Sequence, residues 1–142
     1  MTAPAVPTRV GRSVLLRRWP TWLGVALIVP LVATGLLTEF AEGIVVSAVI
    51  YWIWGAVRGQ LWRPGWLTLE TAGVAGFGAV TLAALSMNPG PARYLLAAGW
   101  LAHAGWDIAH HRADRIVPRW YAECCAVVDV LLAAAIVVLP AS

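Results

Sequence analysis

The chain has 142 residues, of which 61% are hydrophobic and only 12% charged, with a mean hydropathy of +0.76. Soluble domains carry about 25% charged residues, so this composition excludes an ordinary water-soluble domain and points to the membrane class. The formal net charge of +3 would invite nucleic-acid binding in a soluble protein, but here every basic residue is an Arg beside an apolar run; that is a topogenic pattern, and no nucleic-acid partner is expected.

The length predicts one helical domain over residues 1–142 with no separate soluble unit. The absence of Lys, with abundant Ala, Gly, Val and Pro, is the compositional habit of a GC-rich bacterial source. Residues 1–18 form an Arg-rich segment carrying Arg9, Arg12, Arg17 and Arg18. The first apolar segment then runs from Trp19 to Thr38. It exceeds the roughly 7–15 residues of a signal-peptide core, and no convincing small-x-small cleavage site precedes Glu39, so it reads as a retained span. Pro30 in its middle predicts a kink.

The second segment covers Phe40 to Val57, with Glu39 and Glu42 on a solvated outer turn. The third covers Trp66 to Met87, where Ala72, Gly73, Gly76 and Gly78 form a small-residue face suited to close helix contact. Asn88-Pro89-Gly90-Pro91 reads as a turn that ends it. The fourth covers Tyr94 to His111, with Ala98–Ala102 and Gly105–Ala109 at the same small-residue spacing. The fifth runs from Trp120 to Leu139 and contains adjacent Cys124 and Cys125, which as neighbours predict neither a mutual disulfide nor a zinc-ribbon site.

Each segment approaches the ~20 residues that cross a hydrocarbon core as a helix, and unpaired backbone in lipid excludes isolated strands. The expected fold is therefore an all-α polytopic bundle of about five transmembrane helices. Orientation follows from Arg placement. With the N-terminus inside, Arg9, Arg12, Arg17, Arg18, Arg58, Arg63, Arg112, Arg115 and Arg119 all fall on the inner side and Arg93 alone on the outer. This predicts an N-in/C-out, multi-pass protein of the bacterial cytoplasmic membrane. Trp19, Trp22, Trp62, Trp66 and Trp120 fall at the same inner helix ends, where indoles reach headgroups. Trp52, Trp54, Trp100 and Trp106 lie deeper and must pack or line a cavity.

Segment four holds the chemistry: Gly99-Trp-Leu-Ala-His103-Ala-Gly-Trp-Asp107-Ile-Ala-His110-His111. At about 100° per residue, Asp107 lies about 40° from His103, His110 about 20° the other way and His111 about 80° round. All four share one arc of roughly 100°, and ionisable groups at bilayer depth must face protein or water. At about 1.5 Å of rise per residue, Glu70 of segment three and Glu123 of segment five fall at a depth similar to Asp107. Asp129, four residues from Cys125 and on the same face, falls deeper, near His103. One inner-leaflet layer is thus expected to contain Glu70, His103, Asp107, His110, His111, Glu123 and Asp129.

Three imidazoles among carboxylates suit Fe, Zn or Mn, and Asp107-x-x-His110 has the carboxylate-x-x-His spacing of di-iron bundles, without the four-helix duplication. The candidate metal ligands are His103, Asp107, His110, His111 and Asp129, and the candidate catalytic carboxylates are Asp107, Asp129, Glu70 and Glu123. The structural alternative is a hydrogen-bond network that ties helices together, and His111 also fits a merely interfacial position beside Arg112.

The pattern Trp100-x-x-His103-x-x-Trp106-Asp107-x-x-His110-His111, followed by Pro118, a Cys at 124 or 125 and Asp129, resembles a family of small bacterial and fungal integral membrane proteins of unassigned function. The resemblance covers roughly the last third of the chain, with Glu70 corresponding to a Glu of the preceding helix. The Arg-rich stretch from Arg112 to Arg119 departs from the more neutral, Gly- and Pro-containing sequence of that family. The resemblance implies the residue set and no activity. The residues themselves lead to a membrane metalloenzyme acting on a lipophilic, lipid- or isoprenoid-like small molecule. The alternatives are a metal-free acid/base isomerase or cyclase, and a proton- or metal-translocating protein, whose outer half a homo-oligomer would have to complete.

Overall fold

The computed structural model describes residues 16–34 and 43–139. Over these residues the chain is all-α, with helices α1 (Trp19–Thr34), α2 (Ile44–Val57), α3 (Trp66–Leu85), α4 (Pro89–Ala113) and α5 (Arg119–Val138). Arg9, Arg12, the end of the first apolar segment, and the outer turn with Glu39 and Glu42 lie outside the described residues. The boundaries expected for segments three and five agree with α3 and α5 to within two residues. Helix α1 runs through Pro30; proline has no N–H to offer the carbonyl of Ala26, one turn earlier.

Helix α4 departs most from expectation. It starts at Pro89 rather than Tyr94, so Asn88-Pro89-Gly90-Pro91 is a helix start and not a free turn. Asn88 is extended (φ −63°, ψ 147°) and precedes Pro89 at the first helical position. The first-turn N–H groups have no intrahelical acceptor, so proline sacrifices nothing there and its fixed φ favours the helix. At the other end Asp114 adopts the left-handed conformation (φ 52°) and its N–H donates to the carbonyl of His110. That contact closes the helix in the manner of a left-handed C-terminal cap.

Helix α4 packs against α5 and α3 and touches α2, while α1 lies along α5 and α2 along α3. Side-chain contacts give the directions. Trp19 meets Trp120 at a ring-centroid distance of 5.3 Å, so α1 and α5 start at the same end. Trp66 at the start of α3 meets His110 near the end of α4, and Arg93 near the start of α4 donates to the Val137 carbonyl at the end of α5. Adjacent helices in the α3–α4–α5 run are therefore antiparallel. The loops after α2 and α4 are joined by Arg58 donating to the Ile116 carbonyl and by the Ile116 N–H donating to Gln60 Oε1. Arg17, Arg18, Arg58, Arg63, Arg112, Arg115 and Arg119 thus gather at one end of the bundle, and Arg93 sits at the other.

Small residues set the closest approaches, though not all those expected. At Gly73 a Cβ would lie 2.8 Å from the Trp106 ring, so α3 accepts the indole of α4 only because Gly is there. At Gly24 a Cβ would lie 2.8 Å from the Cys124 carbonyl oxygen, which seats α1 on α5. Gly76, by contrast, faces open space. Ala98, Ala102, Gly105 and Ala109 are exposed, and α4 instead packs through Ala97, Trp100 and Ala104. Small-residue spacing alone does not say which face of an Ala-rich helix is turned inward.

The distribution of polarity is inverted relative to a water-soluble domain. Glu70, His103, Asp107, His110 and Asp129 are each no more than 2% exposed. Leu27, Val29, Val46, Ile53, Leu69, Leu82, Leu101, Ile108, Val130 and Val138, spread over all five helices, are exposed. Helices α3 and α5 are long and apolar enough to cross a bilayer, and α1 and α2 are apolar but shorter.

Candidate metal centre

The interior polar groups fall into a central cluster, a second buried pair, and a half-exposed cluster at the surface. The central cluster is His103, Asp107 and Asp129. One ligand atom from each residue can be chosen so that all lie within 4.8 Å of one another. Helix periodicity puts His103 and Asp107 on one face of α4, and the antiparallel packing of α5 brings Asp129 across to them. His103 Nδ1 lies 2.8 Å from Asp129 Oδ2 and 3.6 Å from Asp107 Oδ1. The first is a hydrogen bond in which Nδ1–H donates; the second is too long to be one.

Asp107 is consequently the anomaly. Its side chain is fully buried, yet neither carboxylate oxygen has a hydrogen-bond partner among the described residues. A buried carboxyl without a partner carries a desolvation penalty of several kcal/mol. A divalent ion held at about 2.0–2.2 Å by N and O ligands places those ligands up to about 4.4 Å apart. Ligand atoms that all lie within 4.8 Å of one another are close to that span. The donor set of one imidazole and two carboxylates suits Mn, Fe or Zn, and the orphaned Asp107 is where a cation would supply what the protein does not. The residues fit a metal.

The second buried unit is His110 with Glu70. His110 Nδ1 donates to the Trp106 carbonyl one turn earlier on α4 (2.9 Å), and Nε2 lies 2.7 Å from Glu70 Oε1 on α3. With Nδ1–H committed, the short Nε2–Oε1 contact holds one proton shared between imidazole and carboxyl. This pair ties α3 to α4 near the Arg-rich end. Asp107 and His110, three residues apart, thus face different neighbours: His103 Nδ1 lies 3.6 Å from Asp107, and Glu70 Oε1 lies 2.7 Å from His110.

The remaining expected members stand apart. Glu123 receives Thr21 Oγ1 at 2.6 Å and Arg18 at 3.3 Å, and His111 Nε2 lies 3.9 Å from its other oxygen. This cluster is half-exposed and joins α1, α4 and α5. It borders an open groove of about 410 Å³ whose other lining includes Ile108, Val127 and Val130. The seven-residue layer thus separates into three units, and His111 and Glu123 do not reach the central cluster. Cys124 is buried and Cys125 half-buried.

Tyr51 was not anticipated. It is fully buried, its ring standing edge-on to His103 (5.8 Å) and His110 (5.1 Å) and tilted against Tyr121 (5.9 Å). It fills the space between the two buried units and belongs to the same apolar packing as Ile116, Val117 and Ala122. The available signal was a polar-tipped aromatic in mid-segment two, where a phenol needs a partner. The remaining walls are aromatic: Phe77 stands 4.9 Å and Trp100 6.2 Å from the His103 ring, and Trp106 lies over His110.

Comparison with protein-family models, with curated proteins and with solved structures finds no match for this chain.

Proposed function

We propose that this is a multi-pass membrane protein, five-spanning with its Arg-rich end in the cytoplasm. In this reading it binds one divalent transition metal (Fe, Zn or Mn) through His103, Asp107 and Asp129 and acts as an enzyme on a lipophilic small molecule. The observation that carries the reading is the buried His103–Asp107–Asp129 cluster, whose ligand atoms come within 4.8 Å of one another while Asp107 has no other partner.

Membrane insertion is supported by the inverted polarity. Only 28% of the hydropathic windows of α3 and α5 is buried inside the protein. An apolar helix that is the core of a soluble domain is mostly buried, whereas most of each window here is exposed, as on a helix that faces lipid. Helices α1, α2 and α4 complete the bundle, and the Arg-rich end obeys the inside bias of basic loops. The resemblance in residues Gly99 to Asp129 points to the same class of small membrane protein. A lipophilic substrate suits a centre walled by Phe77, Trp100 and Tyr51. The groove beside Arg18, Thr21 and His111 has the polar end and apolar floor that an amphiphile in the inner leaflet would meet.

A bound metal would act as a Lewis acid toward a substrate oxygen. The chain's own residues then divide the work. His103 and Asp129 hold each other in register through the 2.8 Å bond, and Asp107, whose oxygens have no hydrogen-bond partner among the described residues, would complete the ligand set. Metal analysis of the purified full-length protein tests this: about one Fe, Zn or Mn per folded chain is expected, falling to background in His103→Ala. A folded, metal-free wild-type protein after growth and purification without chelator would refute it.

One observation favours a metal-free reading. The His103–Asp129 hydrogen bond is complete without an ion, and so forms an acid/base pair beside Asp107 that suits an isomerase or cyclase. Activity that persists in chelator and disappears in Asp107→Asn would select that reading.

A further inference from the structure

The fold buries the Asp107 carboxylate and the Tyr51 hydroxyl beside the same imidazole, His103. Among the described residues neither Asp107 oxygen has a hydrogen-bond partner, and neither does the Tyr51 hydroxyl. Both side chains are fully buried. The Tyr51 ring lies against His103 and His110, which flank Asp107 about one turn to either side on α4, so the phenol and the carboxylate are near enough to interact.

Burying a hydroxyl without a partner costs about 1–3 kcal/mol on the scale of protein substitutions. A residue needed for packing alone would be Phe, which has the same ring and no such penalty. The ring also has no freedom to take its hydroxyl elsewhere. It is held edge-on between His103 and His110 and backed by Tyr121, and the α2 backbone beneath it is fixed where Ile116 packs into Gly55. His110 is not available as an acceptor, because its two nitrogens are already engaged by the Trp106 carbonyl and Glu70. Asp129 is engaged by His103. Asp107 is the one acidic group of the centre whose oxygens are both open.

A carboxylate that binds a metal through one oxygen presents the other to a hydrogen-bond donor, and such outer donors fix the orientation of the ligand. We propose that Tyr51 is the positioning residue of the metal centre: its hydroxyl donates to the non-coordinating oxygen of Asp107 and aims the other oxygen at the ion. The inference rests on the metal-binding reading above and adds α2 to the helices that build the site. The phenol keeps its proton throughout, and Asp129 and Tyr51 then play parallel parts on different neighbours, one orienting His103 and the other Asp107.

The test is Mn²⁺ and Zn²⁺ binding by full-length protein in detergent micelles, comparing wild type with Tyr51→Phe and Tyr121→Phe, alongside the electron paramagnetic resonance spectrum of bound Mn²⁺. Thermal unfolding of each metal-free variant checks that the bundle is intact. Removing an outer-shell donor typically weakens metal binding about 10–100-fold. That loss is expected for Tyr51→Phe together with an altered Mn²⁺ spectrum, while Tyr121→Phe should match wild type in both. Wild-type affinity and spectrum in a folded Tyr51→Phe protein would overturn the role of Tyr51 and leave the metal centre standing. Absence of binding by the wild type would overturn both. Equal losses in the two tyrosine variants would reduce Tyr51 to a packing residue and also overturn the inference. If Tyr51→Phe does not fold, 3-fluorotyrosine incorporated at position 51 decides. Fluorine keeps the ring and makes the hydroxyl a stronger donor, so a changed Mn²⁺ affinity and spectrum support the arrangement and wild-type values contradict it.

Discussion

At the scale of single residues, the central question is what His103 does for two carboxyl groups that have left water. Its Nδ1–H is the partner of Asp129, and its ring stands next to an Asp107 that has none. Truncating one member of a buried pair leaves the other uncompensated and typically costs about 3–5 kcal/mol. His103→Ala is therefore expected to lower the stability of the metal-free protein by about that amount in a micellar unfolding titration. A change within a few tenths of a kcal/mol would contradict the pairing. The separate His110–Glu70 unit makes the opposite prediction for the metal. Glu70→Gln retains a side chain able to bond His110, so metal stoichiometry should stay at the wild-type value even if α3 and α4 are held less firmly. Loss of the metal in folded Glu70→Gln would merge the two units into one site.

These residues were legible in the sequence to different degrees. His103, Asp107 and His110 share an arc on α4 that periodicity alone supplies, and Asp129 is conspicuous as an acid among Val and Leu. Which groups pair is not contained in periodicity. Asp107 and His110 are three apart on one helix, but they face different neighbours, His103 and Glu70. Depth placed Glu123 beside the others; its rotation on α5 directs it instead to Thr21 and Arg18. Tyr51 escaped notice because an aromatic in an apolar segment is ordinary until its hydroxyl is seen to lack a partner.

At the scale of the elements, glycine decides which helices can touch. The Trp106 indole of α4 occupies the space a Cβ would take at Gly73 of α3. Gly73→Ala must displace the ring, and since Trp106 also lies over His110, the shift would be passed to the His110–Glu70 pair. Overpacking of this kind costs about 1–3 kcal/mol. Gly76→Ala, three residues away in open space, should instead be neutral or stabilising by up to about 1 kcal/mol through helix propensity. Paired melting curves of the two variants check this, and equal destabilisation would contradict the packing. The helix ends show how far local signals reach. Proline marks the beginning of α4 as strongly as it marks a turn, and only the extended Asn88 before it distinguishes the two. The spacing Ala98–Ala102 resembles a contact face but is turned outward.

At the scale of the whole molecule, the bundle buries Glu70, Asp107 and Asp129 and exposes its hydrocarbon, as a bundle in lipid would. The all-α class follows from composition and segment length. The order of helices around the bundle does not, because apolar segments of similar length carry little to distinguish one neighbour from another. The proposed topology puts the Arg-rich end inside the cell. In a background with Cys124 and Cys125 replaced by Ala, Ser86→Cys should react with a membrane-impermeant maleimide added to intact cells, and Arg115→Cys only after lysis. The reverse pattern would invert the orientation, and labelling of both in intact cells would refute a five-span, inside-out assignment.

The proposed metal would be held by His103, Asp107 and Asp129 in the middle of that bundle. X-ray absorption spectroscopy of the metal-loaded full-length protein addresses it most directly, since it reads the ligands themselves. The expected first shell contains N and O donors at about 2.0–2.2 Å, with the outer-shell scattering of one imidazole. Sulfur scattering at about 2.3 Å, from Cys124 or Cys125, or a shell without imidazole scattering, would contradict it.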